Sequence, residues 1–126
     1  MTAIKMSLRT FATLTLLIGL IMLFFNLAVP ALIYLHIACA IIVLVLAIVV
    51  LFLPAPSTGN IRLFQGIVVL LTICTMVVGL LQYRQIFVGL AATLTHLILA
   101  LAVVSLIEMT IARQNRIARA ARSAGL

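Results

Sequence analysis

The chain has 126 residues, of which 67% are hydrophobic, and its mean hydropathy of +1.50 lies far outside the usage of soluble domains. Eight Lys and Arg stand against one carboxylate, Glu108, for a net charge of +7. Paired-carboxylate catalysis, a carboxylate metal cage and a multi-acid proton relay are therefore excluded within one chain, and the basic residues, placed only at the ends of apolar stretches, point to phospholipid headgroups rather than nucleic acid.

Lys5 and Arg9 precede the first apolar run, which is too long for the h-region of a secretory signal and has no small-residue cleavage site after it. It reads as a membrane helix over about residues 8–27, on the order of 20 residues rising about 1.5 Å each, enough for a hydrocarbon core of about 30 Å. Asn26 and Pro30 mark a turn of a few residues, with Pro30 suited to the first turn of the next helix, predicted over 31–53. The Pro-, Ser- and Gly-containing stretch 54–60 is a longer loop. A third span is predicted over 63–81, leaving the membrane at Gln82, Tyr83, Arg84 and Gln85, and a fourth over 87–112. Beyond it, residues 113–126 form a basic tail, helical at its start and frayed by Ser123 and Gly125. Arg113, Arg116, Arg119 and Arg122 recur at every third position there, which suits an anionic inner leaflet. Basic residues concentrate at both ends and in the middle loop, so both termini are expected to be cytoplasmic, in a prokaryotic cytoplasmic membrane.

The two halves repeat at an offset of sixty residues. Gly19 and His36 superimpose on Gly79 and His96, and Thr15 with Thr75, Leu20 with Leu80, Ala31 with Ala91 and Ala40 with Ala100 agree at the same offset. The expected fold is all-α: an integral membrane four-helix bundle built from two tandem transmembrane hairpins in parallel pseudo-twofold repeat. Because the repeats share one orientation, the symmetry axis should lie along the membrane normal.

Each histidine follows an outer-side turn, roughly 8 to 14 Å below the membrane surface at about 1.5 Å per residue. The symmetry should set the two imidazoles face to face across the bundle centre, where a metal on the axis could take both as axial ligands; haem iron fits that geometry. Small residues, Cys39, Ala40 and Ala47 near His36 and Gly89, Ala92, Thr93 and Ala100 near His96, leave room for a large group. Thr15-x-x-x-Gly19 and Thr75-x-x-x-Gly79 have the small-xxx-small spacing of close helix approach. Thr15, Thr75, Thr93 and Thr95 are candidate acceptors for the free ring nitrogens, and Tyr34, Gln82, Arg84 and Gln85 would line an outer rim suited to propionates. The plainer alternative is that each histidine bonds to a hydroxyl or carbonyl of a neighbouring helix, with the threonines at hand to supply it. Cys39 and Cys74 read as core residues, and Glu108 as an interfacial ion pair with Arg62 or Arg113. No covalent haem-attachment motif is present.

The stretch from Arg62 to Ile67 leading through Gly79-Leu80 to Thr95-His96-Leu97-Ile98-Leu99-Ala100, with Leu35-His36-Ile37-Ala38 before it, resembles one four-helix half of the haem A synthase family. The resemblance covers most of the chain. It implies axial ligation of haem b by His36 and His96. The family's catalytic half carries a longer first outer loop with a glutamate shortly before the histidine; here that loop is a few residues and Ile33 lies one turn before His36. The expectation is therefore a cytochrome-like electron-transfer or haem-handling subunit rather than an independent enzyme. Alternatives are a pigment-binding subunit in which each histidine holds a chlorophyll-type magnesium, a cofactor-free structural subunit of a larger membrane complex, or a homodimeric haem A synthase-like enzyme.

Overall fold

In hydrocarbon every backbone N–H and C=O must be satisfied inside the chain, and a helix does this within one segment. A computed structural model describes residues 2–26, 29–53 and 60–123, and every regular element among them is a helix: α1 (Thr2–Phe24), α2 (Pro30–Phe52), α3 (Ile61–Tyr83) and α4 (Leu90–Ser123). All four are long and apolar enough to cross a membrane. The protein is an all-α, integral membrane four-helix bundle. Leu17, Val45, Leu70 and Leu101 are exposed on its outside, as a lipid-facing surface requires.

Local chemistry sets the helix ends. Pro30 opens α2 at the first helical position after the extended Val29, where a missing N–H costs nothing. α3 closes in a Schellman motif: Gln85 takes a left-handed φ of 59°, its N–H reaches the Gln82 carbonyl at 3.0 Å, and the Ile86 N–H reaches the Leu81 carbonyl at 2.9 Å. Gly89, at a φ of 94° that only glycine adopts freely, then redirects the chain, so α4 starts at Leu90 and not at 87.

The other boundary corrections concern polar ends. α1 begins at Thr2 and α3 at Ile61, because a helix leaving the membrane continues through Lys5, Ser7, Arg9 and Arg62 without needing apolar residues. α4 does not stop at 112. It runs unbroken through the four arginines for 34 residues, a length of about 51 Å. Ala, Arg, Gln and Ile favour helix, and Arg122 in the last turn complements its dipole. Ser123 belongs to that helix, its hydroxyl donating to the Ala120 carbonyl at 2.9 Å, while Gly125 and most of the 54–60 loop lie outside the described residues.

α1 packs on α2 and α4, α3 packs on α2 and α4, and the diagonal pairs do not touch through their backbones. Four antiparallel neighbours around a square place the α1–α2 and α3–α4 turns at one end, the turn end, and residues 2 and 123 at the other, the terminal end. The core lies toward the terminal end, in Leu8 and Ala12 of α1, Val43, Ala47 and Val50 of α2, Val68 of α3, and Val103, Ile107 and Ile111 of α4. Leu8 and Val68, Val43 and Val103, and Ala47 and Ile107 are equivalent at the sixty-residue offset, so the core is built about the repeat axis.

Glu108 pairs with Arg9 of α1, whose Nε donates to Oε1 at 2.6 Å, and not with Arg62 or Arg113. α4 turns this face to α1, while Arg113, further along, sits over the Phe64 ring of α3 at 5.5 Å from its centroid. The ion pair's side chains are 49% and 42% exposed, so Glu108→Gln should cost about 1 kcal/mol or less, read as a small fall in melting temperature in detergent. Arg9→Gln should cost a similar amount, and the two together less than their sum.

Candidate functional site

The diagonal helices α2 and α4 carry the histidines. His36 lies six residues after Pro30 and His96 six after Leu90, about 9 Å along each helix from the turn end. The shared phase sends both side chains inward to the same level. Their ring centroids are 6.2 Å apart, with the planes tilted by 54°.

Each ring rests on a glycine of the preceding helix. A Cβ on Gly19 would stand 3.1 Å from His36 Cε1, and one on Gly79 only 2.8 Å from His96 Cε1. Here close approach favours glycine, since an added Cβ would press on the imidazole and the ring would have to give way. Sequence spacing suggested close packing at these positions; the contacting group is the histidine itself.

The threonines do not act as predicted. The Thr15 hydroxyl donates to the Phe11 carbonyl and that of Thr75 to the Leu71 carbonyl, each at 2.7 Å, one turn back on its own helix. Thr95 bonds the Ala91 carbonyl at 2.8 Å, and Thr93 bonds the Gly89 carbonyl at 3.2 Å while accepting from Gln82 Nε2 at 3.4 Å. No threonine hydroxyl meets an imidazole among the described residues; the acceptors beside the rings are the backbone carbonyls of Thr15 and Thr75, so the plainer reading, a histidine bonded to the neighbouring helix, keeps its backbone form. Each ring stands within reach of one of those carbonyls, Thr15 for His36 and Thr75 for His96, while Nδ1 of both histidines is buried without a hydrogen-bond partner among the described residues.

Toward the turn end, Tyr34 is exposed, Arg84 caps α3 and is exposed, and the Gln85 side chain reaches the Gln82 carbonyl at 3.4 Å. Arg84 is the one basic residue at this end of the bundle. Cys39 is buried beside the His36 turn. Cys74 is exposed and not a core residue, because its face of α3 turns outward, and both thiols are free. Among the described residues no group of three or more His, Cys, Asp or Glu side chains gathers.

Two nitrogen ligands cannot complete a metal site unless the remaining positions come with the metal, as they do in a tetrapyrrole. The ring separation is compatible with such a group. With about 2.0–2.1 Å from metal to imidazole nitrogen and about 1.1 Å from nitrogen to ring centre, two imidazoles on opposite sides of one ion stand about 6.3 Å apart. The observed separation is 6.2 Å. Rotating one ring about the ligand axis changes the interplanar angle without changing this distance, so a 54° tilt is compatible with it. No family model, curated protein or solved structure matches this chain.

Proposed function

We propose that the chain is a membrane-embedded haem b-binding protein, a cytochrome-like electron-transfer or haem-handling subunit, with His36 and His96 as axial ligands. The observation that carries this reading is the pair of inward, symmetry-related imidazoles whose 6.2 Å separation suits one shared ion. When bound, haem iron supplies one-electron redox chemistry. The chain's own residues would hold and shield it: His36 and His96 would ligate, Gly19 and Gly79 let the rings sit back against the flanking helices, and Val43, Val103 and Ile107 close the bundle toward the terminal end. Arg84, Gln82 and Tyr34 at the turn end offer donors to carboxylates. The distribution of basic residues supports cytoplasmic termini, which puts the histidines in the outer half of the membrane. The α4 arginines would then meet anionic lipid, at about 1 kcal/mol each.

Ring separation speaks against two chlorophyll-type pigments, since centroids 6.2 Å apart leave room for one ion between the rings and not for two macrocycles. Chain purified in detergent from haem-supplied cells should yield one haem b per chain by pyridine extraction, with Soret and α bands. Far-red absorption would indicate a pigment, and a colourless protein from such cells would overturn the proposal.

A further inference from the structure

The terminal end of the repeat axis holds a second polar site. A cavity of about 20 Å³ lies between all four helices there. Its walls follow the sixty-residue repeat: Lys5 is equivalent to Gln65, Leu8 to Val68, and Ala47 to Ile107. It therefore sits on the same axis as the histidine pair, at the opposite end. The chemistry of its walls breaks the symmetry. Where the first half places Val50, the second places Thr110, and Gln114 follows one turn later on α4.

These polar side chains are nearly sealed from the exterior, Gln65 and Gln114 being 4% exposed and Thr110 7%. Gln65 Oε1, Thr110 Oγ1 and Gln114 Oε1 have no hydrogen-bond partner among the described residues. Thr110 is telling. Thr15, Thr72, Thr75, Thr93 and Thr95 all donate back to the carbonyl four residues earlier, and Thr110 does not. Its hydroxyl is left for something else in the cavity.

The space suits a small occupant such as a water, which needs roughly 10–15 Å³. The occupant must also donate to amide oxygens, and no acidic side chain lines the cavity to hold a metal cation while Lys5 opposes one. We propose that the cavity binds one ordered water molecule. Its two protons go to Gln65 Oε1 and Gln114 Oε1, and its lone pairs accept from the Thr110 hydroxyl and the Lys5 ammonium. All three orphaned groups are satisfied, and α1, α3 and α4 are pinned together at the terminal end. Lys5 then serves the interior of the bundle and not the headgroup layer.

The test is water-edited solid-state NMR on the full chain in lipid bilayers, with labelled Gln and Thr. Magnetisation should pass from water to the Gln65 and Gln114 side-chain amides and to Thr110 at short mixing times. Thr72, as buried at 4% but bonded within its own helix, provides the internal control and should receive none. Thr110→Val, which keeps the side-chain shape, should shift both glutamine amide signals. Transfer to Gln65 and Gln114 no greater than to Thr72 would overturn the proposal. So would glutamine signals that move on chloride titration, which would identify an anion in place of water.

Discussion

If His36 and His96 hold haem as proposed, alanine in place of either should remove the six-coordinate, low-spin species, and the two replacements should act equally. Each imidazole would supply one of two protein ligands, and no third His, Cys, Asp or Glu gathers with them among the described residues. The two surroundings also match: a glycine seat, a threonine bonded back along its own helix, and an enclosed Nδ1. Loss of one ligand would leave a bound haem iron five-coordinate and high-spin. Removing a residue that merely supports a ligand lowers metal affinity by about 10–100-fold, so deleting a ligand should cost at least as much. The helices should persist, because neither histidine belongs to the buried core at the terminal end. Circular dichroism unchanged from the wild type, beside a lost low-spin spectrum, is the signature. Low-spin haem surviving in both variants would sink bis-histidine ligation.

Gly79→Ala and Gly19→Ala should weaken haem binding while leaving the protein as stable as before, or more so. A helical glycine costs about 1 kcal/mol relative to alanine, so the substitution favours the helix itself. The new methyl would fall 2.8 Å from His96 Cε1 or 3.1 Å from His36 Cε1, and the ring must swing away. An imidazole forced some 30° from its rotamer costs about 0.5–1.5 kcal/mol, or roughly a two- to twelvefold loss of affinity. The Gly79 variant should lose more than the Gly19 variant because its contact is tighter. Valine at either position should exclude the ring from its seat and abolish binding. Melting temperature and haem titration, measured on the same samples, separate this from simple misfolding.

Elements that repeat were legible in the sequence, because a duplicated hairpin carries its histidine and its glycine at one fixed offset whatever the helix rotation. The turn at Asn26 and Pro30 was legible for a local reason, the backbone preference of those residues. What depended on rotation was not. Glu108 found Arg9 because α4 turns that face to α1, and Cys74 faces outward because of the rotation of α3, neither of which the apolar pattern encodes when every face is hydrophobic. Hydropathy also hid the helix ends, since α4 carries its arginines on continuous helix well past the apolar span. The threonines misled because an apolar segment offers their hydroxyls a nearer acceptor, the carbonyl one turn back. The polar cavity at the terminal end did leave a trace: Gln65 stands sixty residues after Lys5, and Thr110 and Gln114 share a face one turn apart in an otherwise apolar run. Only the packing of four helices shows that these residues meet.

Haem titrated into the detergent-solubilised chain, followed in the Soret band, decides whether the two imidazoles share one ion. Ligation by His36 and His96 requires saturation at one haem per chain with a six-coordinate low-spin spectrum that is lost when both histidines are replaced. Binding that never saturates, or a spectrum indifferent to both histidines, would contradict it.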